Sequence, residues 1–359
     1  MRKQLLKSFL LKLITKKKKN DFNVKLSKKV LMLRYDRIGD MIITTPIFRE
    51  FKSKYPDVEI NVLASKVNST IIKNNEHVDN IYINHKNNFF LDLPVLLKLR
   101  AQKIDVCFEF DHSVIRHAIL RLKIINPKKI ISVKKEGRYG VSGEDLNIYD
   151  FYTEKKKNEH FRNIWLETLS PFGIKPKSNK YDIYLDKENE NKADEYLKKF
   201  KDKFLIGINL EGVIKGKKIT SGELIHICNG LIKLNKNIQI IIISEPIKEK
   251  SLNKEINKMN LNFVSKSYTT TTILDASALI KRLNLIITPD TSIVHVASTF
   301  NIPVISIHEK NYESYKLFSP TSELNRTIFS DSKNSLSGFS VDDLLRASKE
   351  IMELVKIYK

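Results

Sequence analysis

Two cysteines in 359 residues leave no basis for a disulfide framework. Both Cys107 and Cys228 stand inside apolar runs, where small buried hydrophobes of a reducing compartment are found. The eight histidines are scattered without the short spacings of a metal-ligand set, and no carboxylate cluster suits a divalent ion, so no metal or other cofactor is expected. No nucleic-acid reader motif occurs and the aromatics do not interleave with the basic runs, which argues against nucleic acid as a partner. Internal repeats are absent, as is low-complexity sequence beyond the lysine tracts. The first apolar stretch, broken by Lys12, is too short to span a bilayer and is followed by no small-residue cleavage site, which excludes a transmembrane helix and a secretory signal there.

Positive charge is abundant and uneven. Lys and Arg number 63 against 41 Asp and Glu, a net +22. Residues 1–29 hold eleven of the basic residues and one acid, Asp21. Within residues 1–19, Leu6, Phe9, Leu10 and Leu13 form a stripe at helical spacing, with Leu11 off it. Lys3, Lys7, Lys12 and Lys16 surround the stripe and the run Lys16 to Lys19 lies behind it. A basic amphipathic arm over 1–28, lying on an anionic membrane surface, is the expectation; a solvated basic tail is the alternative.

The chain is long enough for two domains. Apolar strands alternate with amphipathic helices throughout, which predicts an α/β protein with parallel sheets covered on both faces. Strands are expected near 29–34, 58–63, 79–83, 104–110 and 129–133, then near 204–209, 238–243, 261–264, 284–287 and 302–307. The Pro- and Gly-containing stretch Ser170 to Ser178 follows a helix over 159–169 and divides the chain into domains 29–175 and 178–335. Lys134 to Lys157 has little periodicity and is expected to be a mobile loop. A last amphipathic helix lies within 340–359.

Two segments put chemistry at strand ends. In the first, the strand Lys29 to Arg34 runs through Tyr35, Asp36, Arg37, Ile38 and Gly39 into a helix opened by Asp40. Gly39 allows a close backbone approach or a positive φ, and Asp40 sits where open α/β sheets keep their ligands. Asp40 is either a helix cap or a base, and the roles are compatible. Arg34 and Arg37 flank the turn and can pair with acidic groups of a ligand or with Asp36 and Asp40. In the second, the strand ending at Ile287 leads through Thr288 and Pro289 to Asp290, Thr291 and Ser292, with Asp290 or Thr291 as N-cap. Thr291 and His295, four apart, share a helix face beside the free N–H groups of the first turn, which attract anions.

Together the segments resemble glycosyltransferase family 9, the lipopolysaccharide heptosyltransferases. Arg34, Asp36, Ile38, Gly39, Asp40, Thr44 and Pro46 match the N-terminal pattern, followed by Tyr55 and Pro56. Asp290, Thr291, His295, Ala297 and Pro303 match the C-terminal one, with Ser292 in place of the usual Gly. The resemblance spans about Val30 to Pro320. It implies a GT-B architecture, two Rossmann-like domains facing across a cleft, with the C-terminal helix packing back towards the N-terminal domain.

The implied activity is inverting, metal-independent transfer of heptose from ADP-heptose to the inner core of lipopolysaccharide or lipooligosaccharide. Asp40 would be the general base, and Arg34, Arg37 and Gly39 would meet the anionic glycolipid acceptor. The nucleotide-sugar donor would meet Asp290, Thr291, Ser292 and His295, with Lys217 or Lys218 on the leaving phosphate. Glu245 would accept hydrogen bonds from the ribose, or cap the following helix. Two departures stand out. Ile219 and Thr220 replace the family's Trp-Pro, and Leu210 to Val213 lacks the small hydroxyl residues usual near the phosphates. The expected location is cytoplasmic, peripheral on the inner membrane. A same-family transferase with another sugar or acceptor, and a non-catalytic sugar- or nucleotide-binding protein at the membrane surface, are the alternatives.

Overall fold

The computed structural model describes residues 8–9, 11–15, 20–85, 88–154, 159–212, 218–244, 249–333 and 335–357. It divides into two units, Met1–Asp182 and Ile183–Lys359.

Unit 1 is built on strands β1 (Lys29–Arg34), β2 (Glu59–Ser65), β3 (Asn80–Asn84), β4 (Val106–Glu109), β5 (Lys129–Val133) and β6 (Phe151–Thr153), with helices α1 (Ile38–Lys54), α2 (Ser69–Ile72), α3 (Phe89–Ala101), α4 (Arg116–Ile125) and α5 (Phe161–Glu167). The sheet is parallel, in the order β3-β2-β1-β4-β5-β6. Its central strands are apolar on both sides because helices cover both faces. Leu31, Leu33, Leu63, Cys107 and Ile130 pack with Leu96 and Leu99 of α3 and Ile119 and Leu122 of α4. An aromatic cluster includes Phe51, Phe108 and Phe172, with Phe51 and Phe172 edge-on at 4.8 Å.

Unit 2 repeats the plan with β7 (Phe204–Asn209), β8 (Ile238–Ile243), β9 (Val264–Lys266), β10 (Leu285–Pro289), β11 (Val304–His308) and β12 (Asn325–Phe329). Its helices are α6 (Lys187–Leu197), α7 (Ser221–Leu234), α8 (Glu249–Met259), α9 (Ile273–Ile280), α10 (Ser292–Thr299), α11 (Tyr312–Phe318) and α12 (Val341–Ile357). The order β12-β11-β10-β7-β8-β9 is again all parallel. Counted from its own first strand, each sheet therefore has the Rossmann order 3-2-1-4-5-6. Each changes direction between its first and fourth strands, where such sheets bind ligands.

Nine of the twelve described strands lie where the apolar runs predict them, and β9 meets the run near 261–264 only at Val264. The two others, β6 and β12, are outer strands: β6 has three residues and β12 is only half-buried, so neither carries an apolar run.

Several expectations need correction. The stretch Ser170 to Ser178 does not separate the units. Buried Glu50 of α1 accepts from the backbone N–H groups of Lys177 and Ser178, Arg49 donates to the Ser178 and Lys180 carbonyls, and Thr45 accepts from Asp182 N–H at 2.8 Å. These bonds carry unit 1 on to Asp182. The segment from Lys134 is folded rather than loose as far as Glu154. Glu136 N–H donates to the His112 carbonyl at 2.6 Å, Arg138 and Val141 form a bridge, and Val141, Leu146 and Ile148 are buried although they follow no helix or strand period. Gly39 lies inside α1 rather than at a left-handed turn.

The C-terminal helix α12 packs on unit 2 itself. Leu344, Ala347, Ile351, Met352 and Val355 belong to that unit's core, and the helix lies against α7. Gly230 of α7 supplies the notch: a Cβ there would stand 2.3 Å from Leu345 Cδ1.

The arm is the largest revision. Residues 8–9 and 11–14 are helical, but the inward residue is Leu11, 6% exposed and part of the unit 1 core, while Phe9 and Leu13 are 64% and 51% exposed. Ser8 Oγ donates to the Gly140 carbonyl and Lys12 pairs with Asp145 at 2.7 Å. Leu11 shares that core with Val141, Leu146 and Ile148, which leaves Phe9 and Leu13 facing outward. Leu6, Leu10, Lys3, Lys7 and Lys16 to Lys19 lie outside the described residues. No described helix is long and apolar enough to cross a membrane.

Candidate functional site

In unit 1 the direction change falls between β1 and β4. Arg34 ends β1 with its guanidinium buried, lying over Trp165 at 3.9 Å and Phe110 at 4.7 Å. Its Nε donates to Thr44 Oγ1 at 2.9 Å and its Nη1 to Asp36 Oδ2 at 3.0 Å. Thr44 Oγ1 donates in turn to the Asp40 carbonyl at 2.7 Å. A tetrad of β1, turn and helix is thereby fixed around the first turn of α1. Burial raises the Asp40 carboxyl above its ordinary range and Asp36 adds to this, against the pull of Arg34, Arg37 and the Arg37 backbone N–H. Arg37 is exposed beside it.

Across the direction change, β4 ends at Glu109, and Phe110 and Asp111 follow it. Burial by itself would raise the Glu109 carboxyl. The Lys135 ammonium bonded to it, with Asp111 N–H donating at 2.9 Å, outweighs burial and holds it below its usual range. Lys135 also donates to the Asp111 carbonyl, and Ser132 Oγ to Glu109. Asp111 goes the other way: burial, then Glu109 and Asp36, push its carboxyl well up. Tyr35, also buried, has its phenol raised by burial and by Asp111, and its hydroxyl has no hydrogen-bond partner among the described residues. The edge thus sets an ionised pair, Glu109 with Lys135, beside a carboxyl that favours its neutral form.

In unit 2 the corresponding place lies between β7 and β10. Thr291 is the N-cap of α10, accepting from Ile293 N–H at 3.2 Å. Asn209 at the end of β7 reaches across, its Nδ2 donating to Thr288 Oγ1 at 3.0 Å and to the Glu211 carbonyl at 3.0 Å, with Thr291 Oγ1 at 3.4 Å. Asp290 therefore stands before the helix and does not cap it; its carboxylate is 3.8 Å from His308 Nδ1. Ser292 is half-buried at the first helical position. His295 is buried one turn in, its ring 6.5 Å from that of Phe318. Asn209 and the Thr291 cap hold the helix start on a fixed frame, and free N–H groups at such a terminus attract anions.

Of the residues singled out from sequence, Arg34, Arg37, Gly39 and Asp40 gather in unit 1, and Asp290, Thr291, Ser292 and His295 in unit 2. Lys217 and Glu245 lie outside the described residues. Lys218 is exposed, bridged to Glu211, and Thr220 caps α7 in a reciprocal pair with Glu223. Sequence reasoning passed over Tyr35, Glu109, Asp111 and Lys135 in unit 1, and Asn209, Thr288 and His308 in unit 2. The one local signal was a carboxylate at alternate positions, Glu109 and Asp111, where β4 runs out.

Comparison with known proteins gives the family and the fold. The family model described as glycosyltransferase family 9 (heptosyltransferase) matches residues 97–338. Lipopolysaccharide heptosyltransferase 1 of Campylobacter coli is 21% identical over 356 residues, covering 90% of this chain and 98% of that protein. Among solved structures, a glycosyltransferase family 9 protein from Veillonella parvula superposes with a TM-score of 0.74 at 15% identity, covering 92% of this chain and 98% of its own. The Escherichia coli ADP-heptose lipopolysaccharide heptosyltransferase II gives 0.72 at 16% identity, with 91% and 99% covered. At such identities the structures speak for the fold: α/β, GT-B type, two Rossmann-like domains.

Proposed function

Because the chain belongs to glycosyltransferase family 9 (heptosyltransferase), and is a glycosyltransferase, we propose that it transfers heptose from ADP-heptose to the inner core of lipopolysaccharide or lipooligosaccharide. In this proposal unit 1 takes the glycolipid acceptor and unit 2 the nucleotide-sugar, and the enzyme works at the cytoplasmic face of the inner membrane, held there by the basic arm. An acceptor hydroxyl oxygen attacks the anomeric carbon from the face opposite the nucleotide. The bond from that carbon to the phosphate oxygen breaks, ADP leaves with the electron pair, and the hydroxyl proton passes to the Asp40 carboxylate. One displacement inverts the anomeric centre, and one base suffices. The departing anion is met by the α10 helix start and by Lys217 or Lys218, in the place of a metal ion.

The observation that carries the proposal is Asp40 itself, a partly buried carboxylate on the first turn of α1 whose basicity is raised by burial. Asp40→Asn should lower kcat by a factor on the order of 10² or more while donor affinity, by titration calorimetry, and the melting temperature hold. The base acts ionised. Its raised pKa therefore puts the acid limb of kcat/KM above the ordinary Asp range of about 4, and activity rises with pH through it. Near wild-type turnover in the Asn variant rejects the base. A loss of turnover in EDTA rejects the metal-free step.

A further inference from the structure

Helix α3 is apolar nearly all round, yet it is covered on one side only. Its inward face sets Leu96 and Leu99 in the core and buries Asp92, which pairs with Arg121 of α4 at 2.6 Å and accepts from Asn84 at 2.9 Å. Its outward face carries Phe90, Pro94, Leu97 and Ala101, at spacings of four, three and four, with Leu91 beside Phe90; all five are exposed, Phe90 to 84%. A helix with this pattern normally has apolar surroundings on every side.

Three neighbouring elements continue the face. On α4, Leu120 is exposed between Arg116 and Lys123. Arg116 lies over Tyr139 at 4.8 Å, and the adjoining Gly140 accepts the hydrogen bond from Ser8 of the arm. On the arm, Phe9 and Leu13 point out because Leu11 points in. All three helices cover the same side of the sheet, since Leu11, Leu96, Leu99, Ile119 and Leu122 share one core.

The described residues of the three helices expose charge of one sign, and the acids of the adjoining segment include Asp145, which Lys12 pairs, and exposed Glu136 and Glu144. The single acid of α3 is the buried Asp92 and α4 has none, whereas Lys98, Arg100 and Arg116 are exposed. The arm adds exposed Lys12. Helices whose exposed apolar side chains can enter the headgroup boundary and whose exposed charges are all cationic match an anionic bilayer surface.

We propose that unit 1 binds an anionic membrane through a composite face made by the arm, α3 and α4, with Phe90, Leu91 and Leu97 entering the lipid boundary beside Phe9 and Leu13. This rests on the membrane-surface role proposed for the arm and extends it to a second element far along the chain. Docked this way, the bilayer runs along the layer whose α4 follows β4, the strand that ends at Glu109, two residues before Asp111.

The test is co-sedimentation of the full chain with phosphatidylcholine vesicles, with and without phosphatidylglycerol. Phe90→Ser with Leu97→Ser should weaken partition to the anionic vesicles about tenfold or more, with an unchanged melting curve because both side chains are exposed. Phe9→Ser with Leu13→Ser should do likewise. Wild-type partition in the α3 variant overturns the composite face, even if the arm variant is released. Self-association without vesicles that the α3 substitutions abolish overturns it too, since a second copy would then cover the face. Turnover on lipid-free core oligosaccharide should stay at the wild-type level in both variants; it reads the transferase proposal alone, so the two fail separately.

Discussion

Lys135 concentrates the electrostatics of unit 1 in one side chain. It is buried against Glu109 and the Asp111 carbonyl, and removing a partner from such a pair leaves an uncompensated charge in the interior. Lys135→Met should therefore cost about 3–5 kcal/mol, whereas Lys135→Met combined with Glu109→Leu should recover most of it. Urea titration of both variants checks this, and equal losses would show that the pair is not the cause. Asp111 has the opposite linkage. Its folded pKa is raised, so the stability tied to its neutral form is complete below the ordinary Asp value of about 4 and is lost as pH rises through the folded value. Asp111→Asn should gain on wild type as pH rises; a difference independent of pH would contradict the assignment. Asp40 and Thr291 were legible from sequence because each sits in a strand, a polar turn and a helix start within a dozen residues. Glu109 and Lys135 were not, because nothing local says which ammonium meets which carboxylate across two strands.

Among the elements, α10 decides whether unit 2 binds an anion or merely folds. Thr291 caps the helix and is held by Asn209, so Thr291→Val removes one cap bond and should lower stability by about 0.5–2 kcal/mol. If the helix start holds the nucleotide-sugar, the same change weakens donor binding per folded molecule, and His295→Ala does so as well. Calorimetric titration of ADP-heptose beside melting curves separates the two, and unchanged affinity in both variants would leave α10 as packing alone. The strands of both sheets could be predicted because buried parallel strands read as runs of Val, Ile and Leu. The outer strands β6 and β12 could not, because β6 has only three residues and β12 carries the polar residues Asn325, Arg326 and Thr327. The docking of α12 was equally hidden: its amphipathic face is plain in sequence, but its partner is chosen by the notch at Gly230, which sequence does not connect to Leu345.

At the scale of the whole chain, the arm is part of unit 1 rather than an appendage. Removing residues 1–19 takes Leu11 out of the core and breaks the Lys12–Asp145 pair, so the truncated protein should melt earlier, by the roughly 2–5 kcal/mol of a lost buried leucine. Phe9→Ser with Leu13→Ser should leave the melting curve in place, and an equally stable truncation would show that Leu11 contributes nothing. The charge and stripe of the arm were visible in sequence, but the residue that seats it, off the stripe, was not. Trp165 carries a different consequence. It is the chain's one tryptophan, buried beneath Arg34 and donating from Nε1 to His112 Nε2 at 3.0 Å. All of the molecule's indole emission therefore originates at one address, the carboxyl edge of β1 and β4, and unit 2 has no indole. A ligand that reaches Arg34 and Asp36 announces itself in the native fluorescence spectrum without any label.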